Sequence, residues 1–136
     1  MAAAAEARIA IASDDDVVAA RQAGRRLAET LGLGTTDLTL LATAISEVAR
    51  NITAYAGEGE VVVRRVELDG ASGIEVVARD AGPGIADVER ALQDGYTTGN
   101  GLGLGLPGAR RLMDDFEIVS QPGVGTTVTM TKWARS

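Results

Sequence analysis

Two polar residues, Glu47 and Asn51, stand four apart in a stretch of helical spacing, so they share one flank of a helix, one turn above the other. Such a pair can be plain solvated surface. It can also do specific chemistry. A side-chain amide oxygen is a hard ligand suited to Mg²⁺, which takes few protein ligands beside waters and substrate phosphates, and a nearby carboxylate can accept a proton from an attacking hydroxyl. A second group, Asp80-Ala81-Gly82-Pro83-Gly84, reads either as a simple turn or as an adenine site, in which the carboxylate accepts from the exocyclic amine and glycine lets backbone approach the base. A third, Gly101-Leu102-Gly103-Leu104-Gly105-Leu106, opens a helix and could cradle phosphates through unpaired backbone amides and the positive helix end; a flexible loop is the alternative. A Gly-x-Gly-x-x-Gly match runs from Gly103 to Gly108, but the strand that should precede it is missing, which disfavours a dinucleotide fold.

What the chain lacks narrows the chemistry further. It has no histidine and no cysteine, and Lys132 is its only lysine. A Ser-His-Asp triad, histidine- or thiolate-ligated zinc and a phosphohistidine relay within the chain are thereby excluded, and any general base must be a carboxylate. A Walker-type loop needs a lysine directly after its glycines and the common protein-kinase fold needs one on an early strand; Lys132 suits neither. A net charge of −6 argues against a nucleic-acid binder, which needs a basic surface. No apolar run approaches the length of a membrane span, and residues 1–5 lack the charged start of a signal peptide, so the reading is a cytoplasmic protein with neither membrane nor nucleic-acid partner. With 136 residues, 46% of them hydrophobic, one domain over 1–136 accounts for the chain.

The elements that must hold these groups follow from periodicity. Residues 7–12 alternate around Ile9 and Ile11 as a short strand, and Ser13 with Asp14, Asp15 and Asp16 offers caps for a helix through Val17, Ala20, Leu27 and Leu31 that Gly32 and Gly34 stop. Leu38, Leu41, Ile45, Val48 and Ile52 make the stripe of the next helix, with Thr36 or Asp37 as its cap, and Glu47 and Asn51 lie off that stripe. Residues 60–68 and 73–79 are strands of a hairpin turned at Asp69-Gly70. A short helix is expected over 87–93, a loop over 94–103, a helix over 104–113 with Pro107 in its first turn, and strands over 116–120 and 126–133. The order β-α-α-β-β-α-α-β-β predicts an α+β fold, a two-layer sandwich with helices on one face of a mixed or antiparallel sheet.

Taken together, an Asn-bearing helix, Asp-x-Gly-x-Gly after a strand, Gly-x-Gly-x-Gly at a helix start and Gly125-Thr126 before the last strand resemble the ordered boxes of the GHKL (Bergerat) ATP-binding fold over essentially the whole chain. Among GHKL proteins, Ile45-Ser46-Glu47-Val48-Ala49-Arg50-Asn51-Ile52, Leu106-Pro107-Gly108 and Arg111-Leu112-Met113-Asp114 resemble the anti-sigma regulatory serine/threonine kinases, in particular the RsbT-type switch kinase. The resemblance implies that Asn51 holds Mg²⁺ with ATP, that Glu47 is the general base or positions the hydroxyl, and that Asp80 recognises adenine. It further implies that Gly82 and Gly84 shape the base pocket, that Gly101, Gly103 and Gly105 form the phosphate lid, and that Thr126 supports the adenine end. Arg50, Arg110 and Arg111 suit phosphate or partner contact, with a solvated surface as the alternative; Tyr96 and Trp133 are read as packing.

The implied activity is phosphoryl transfer from Mg·ATP to a serine or threonine of a STAS-domain protein, and the implied partners include a PP2C-type phosphatase that the released kinase activates. Two alternatives remain: an anti-sigma factor kinase of the RsbW type, and a nucleotide-binding regulatory module without kinase activity. A detached histidine kinase fits least, because the chain carries no histidine.

Overall fold

A computed structural model of the chain describes residues 6–85, 88 and 105–134. In order these form β1 (Glu6–Ile11), α1 (Asp14–Thr30), α2 (Thr35–Tyr55), β2 (Gly59–Leu68), β3 (Ala71–Asp80), α3 (Gly105–Leu112), β4 (Asp115–Gln121) and β5 (Gly125–Trp133). Of the helix expected over 87–93 only Val88 is described, and it is helical; the loop over 94–103 lies outside the described residues. The sheet runs β1-β2-β3-β5-β4 and every neighbouring pair is antiparallel. Residues 60–68 therefore belong to an interior strand. The hairpin turn sits at Asp69 and Gly70, with φ of 53° and 82°, the left-handed pair of a two-residue turn that matches strand twist.

Helix α2 presents the expected stripe, since Leu38, Leu41, Ile45, Val48 and Ile52 are all buried against Val61, Val63, Ile74 and Val76 of the sheet. Its start differs from expectation. Gly34 occupies the N-cap and makes no side-chain cap bond, so Thr36 and Asp37 fall inside the first turn, where a carboxylate still favours the positive helix end. Ser13 stands at the N-cap of α1 but its hydroxyl caps nothing; Asp16 reaches back to accept from the Ala12 N–H at 2.9 Å. The stop of α1 is as expected: Gly32, at φ 77°, donates to Glu29 and Leu33 donates to Ala28, the paired bonds of a Schellman ending.

The strands alternate, so β3 turns Ile74, Val76 and Ala78 toward the helices while Glu75 and Arg79 face away and pair with Arg64 and Glu60 of β2. On β5 the inward positions are Thr126, Val128, Met130 and Lys132. Lys132, the sole lysine, is 4% exposed. Its Nζ donates to the Leu112 carbonyl at the end of α3 (2.9 Å) and lies 3.7 Å from Asp114 and 3.9 Å from Asp37. A buried ammonium is tolerated only when paired and hydrogen-bonded, and here it fastens the C-terminus of α3 to β5 and to the first turn of α2. Lys132→Met keeps the aliphatic stem but removes the bond to the Leu112 carbonyl and the charge contacts with Asp37 and Asp114. The expected loss is about 2 kcal/mol of unfolding free energy, read as a lower midpoint at unchanged slope in urea; an unchanged midpoint would show that the clamp contributes nothing.

Candidate active site

One row of direct register partners crosses all five strands: Ile11, Gly59, Asp80, Thr126 and Ser120. Alternation turns this row toward the helix layer, and directly opposed residues of antiparallel strands hold their Cβ atoms about 5 Å apart. Asp80 and Thr126, named separately from the sequence, are thus side by side. Gly59 lets them sit beneath the end of α2, because a Cβ there would fall 2.4 Å from the Arg79 carbonyl oxygen and 3.0 Å from Ile52 Cγ2.

The loop after Asp80 is tightly tied down. Asp80 Oδ1 accepts from the Gly82 N–H at 2.9 Å, Ile85 N–H donates to Ser120 Oγ at 2.7 Å, and Gly123 N–H donates to the Pro83 carbonyl at 2.7 Å. Gly82 packs on the last turn of α2, where a Cβ would meet that of Ala56 at 2.5 Å, and Gly84, at φ 78°, packs on the Gln121 carbonyl. Both glycines shape the loop by admitting neighbouring protein atoms that any side chain would displace.

Glu47 is not on a solvated flank. It is 7% exposed because α3, whose Leu106, Pro107, Gly108 and Ala109 are buried, covers that side of α2. Its Oε1 accepts from the Gly105 N–H at 2.8 Å and its Oε2 from Arg50 at 2.9 Å. The first bond places a carboxylate at the positive end of a helix, where it is favoured. Asn51, half-buried one turn on, opens with Glu47 and Gly105 into a cleft of about 1040 Å³ that Arg21, Arg50 and Tyr55 also line.

Of the residues singled out from the sequence, Glu47, Asn51 and Gly105 converge on this cleft, and Asp80, Gly82, Gly84 and Thr126 converge on the sheet row. Gly101 and Gly103 lie outside the described residues, as does Tyr96. Arg50 is engaged with Glu47, whereas Arg110 and Arg111 are exposed on α3. Trp133 pairs its indole N–H with Asp115 at 2.7 Å, a packing role on the sheet. Sequence reading passed over Ser120, which bonds both the Asp80 loop and Thr126; the signal was its place in the alternation Phe116, Ile118, Ser120 as the one polar inward member. It also passed over Gly59, whose need for space only the register shows.

Residues 11–132 match the family described as the histidine kinase-like ATPase domain. The chain is 47% identical over 127 residues to the serine/threonine-protein kinase RsbT of Bacillus subtilis, covering 93% of this chain and 96% of that one. It is 40% identical over 97 residues to an anti-sigma F factor of Caldanaerobacter subterraneus subsp. tengcongensis, covering 67% and 66%. Among solved structures, the RsbU and RsbW domains of a Mycobacterium tuberculosis protein share the fold, with a TM-score of 0.65 at 20% identity over 96% of this chain and 33% of that one. The mycobacterial sensor histidine kinase MprB gives a TM-score of 0.54 at 26% identity over 72% of each. The family match over residues 11–132 and this degree of identity lead to one conclusion: the chain belongs to the histidine kinase-like ATPase domain family and, within it, to the ATP-binding serine/threonine-protein kinases.

Proposed function

We propose that the chain transfers the γ-phosphoryl group of ATP to a serine or threonine of a STAS-domain protein, and that it acts in the cytoplasm as a partner switch that also engages a PP2C-type phosphatase. The observation that carries this is the placement of Glu47 and Asn51 on one cleft beside the N-terminus of α3. No helix among the described residues is long and apolar enough to cross a membrane.

The residues divide the work. Asp80 and Thr126 take the adenine edge, and Gly101, Gly103 and Gly105 form the phosphate lid, with the Gly105 N–H itself spent on Glu47. Asn51 would hold Mg²⁺ through its amide oxygen, a hard ligand suited to a cation that also takes waters and substrate phosphates. The bound cation supplies neutralisation of phosphate charge. In the transfer, the acceptor oxygen forms a bond to the γ-phosphorus as the bond from that phosphorus to the β,γ-bridging oxygen breaks, ADP leaves with the electron pair, and the hydroxyl proton passes to Glu47. Arg50 and the Gly105 N–H fix the carboxylate so that it faces the incoming hydroxyl without a search for geometry.

Two further readings each have an observation behind them. The bonds from Glu47 to Gly105 and Arg50 would serve equally in a regulatory module that binds nucleotide without transferring phosphate. The identity to anti-sigma F factors favours an RsbW-type kinase that sequesters a sigma factor.

Phosphorylation of a purified STAS-domain protein, run with wild type, Glu47→Gln and Asn51→Ala while nucleotide binding is measured on each, separates the first two. Glu47→Gln is expected to slow transfer at least about a hundredfold, the usual weight of a general base, and to change ATP affinity less than about threefold; Asn51→Ala should lose transfer together with the Mg²⁺ dependence of binding. Tight ATP binding with no transfer by wild type would establish the regulatory module instead. In a pull-down against a sigma factor and a STAS scaffold, retention of the scaffold alone is expected, and retention of the sigma factor would establish the RsbW-type reading.

A further inference from the structure

Ser120 lies near the end of the edge strand β4, faces the helix layer and is the register partner of Thr126. Its single oxygen serves three neighbours. It accepts from the Ile85 N–H at 2.7 Å, lies 2.8 Å from Thr126 Oγ1 with either atom able to donate, and approaches the Gly125 carbonyl at 3.2 Å. A hydroxyl has one proton and two lone pairs, and Ile85 takes one lone pair in every arrangement.

Two arrangements remain. In the first, Ser120 donates to the Gly125 carbonyl and accepts from Thr126, so the Thr126 proton is spent inside the protein. In the second, Ser120 donates to Thr126, and the Thr126 proton turns away from β4, toward its other register partner, Asp80. The Gly125 contact is longer than the usual 2.5 to 3.0 Å of an O–H···O bond, so little is lost in passing from the first to the second. The second arrangement places a donor, Thr126, beside an acceptor, Asp80. That pair complements a base edge with an amine next to a ring-nitrogen acceptor, which is the adenine edge; guanine and hypoxanthine present the reverse order.

We infer that Ser120 is a positioning residue for base selection: by supplying the proton that Thr126 accepts, it makes Thr126 a donor to the adenine N1, while its bond to Ile85 keeps the Asp80 loop at the matching height. The inference rests on the assignment of Asp80 and Thr126 to the adenine edge.

The test is equilibrium binding of ATP, of 1-deaza-ATP, which keeps the amine but has C–H in place of N1, and of purine riboside triphosphate, which keeps N1 but lacks the amine. The full chain is used as wild type, Ser120→Ala, Ser120→Thr and Asp80→Asn. Ser120→Ala, which also frees the Asp80 loop at Ile85, should weaken both nucleotides but ATP about tenfold more than 1-deaza-ATP, the weight of one hydrogen bond, so the preference for ATP over 1-deaza-ATP collapses; Ser120→Thr should restore it. A scaffold role alone would weaken both nucleotides equally, and that result, or an unchanged ATP affinity, overturns the inference. Because the ratio is taken on one variant, a general loss of stability cancels from it. Asp80→Asn should weaken ATP and 1-deaza-ATP alike and spare purine riboside triphosphate. If Asp80→Asn leaves ATP binding intact, the base-site assignment fails and the Ser120 inference with it. If the Asp80 result holds and the Ser120 ratio does not move, only the inference fails.

Discussion

The bond between the buried carboxylate of Glu47 and the first amide of α3 organises the junction of α2 and α3. A carboxylate at 7% exposure is expensive unless hydrogen-bonded and matched by charge. Here the match comes from the positive end of an eight-residue helix and from Arg50, itself half in solvent. A helix of that length has little stability of its own, so α3 exists because it is held: by Glu47 at its start, by Lys132 at its end, and by Pro107, Gly108 and Ala109 packed between. The polar ties at both ends therefore set where α3 stands relative to α2.

The end of the sheet around Asp80 and Thr126 is held differently. Gly59, Asp80, Thr126 and Ser120 are fixed by backbone ladders on β2, β3, β5 and β4, and the loop after Asp80 is bonded at Ile85 and Pro83 to the β4–β5 end of the sheet. The insertion of β5 between β3 and β4 makes this possible. It brings the last strand of the chain beside the strand that ends in Asp80, so residues far apart in sequence form one donor and acceptor edge.

Much of this was legible in the sequence, for physical reasons that differ from residue to residue. The α2 stripe, the Asp69-Gly70 turn and the alternation of β3 are local, and their periods announce them. The burial of Glu47 was not legible, because it depends on α3 arriving from nearly sixty residues away and covering a flank that helical spacing alone marks as solvent-facing. The cap of α2 was misplaced, at Thr36 or Asp37 where Gly34 stands, because local sequence cannot choose among several residues in a row; at α1 Ser13 does hold the cap position, without a side-chain bond. Ser120 and Gly59 acquire meaning only through register, and Lys132 only through the end of α3. The ordered motifs identified the family without any of this, because family resemblance records which tertiary arrangement those motifs share.

Helix α2 is the part common to both ends. Glu47 and Asn51 project from its middle toward the cleft, while Ile52 and Ala56, in its last turns, rest on the space that Gly59 and Gly82 leave open. Less than three helical turns separate the carboxylate from the contact with the Asp80 loop, about 14 Å at 1.5 Å per residue. One rigid, buried stripe therefore sets the distance between the Glu47 carboxylate and the Asp80 loop. The glycines at 59 and 82 are what allow that helix to lie directly against the sheet edge, and a side chain at either would separate the two halves of the site before it disturbed the chemistry of any one residue.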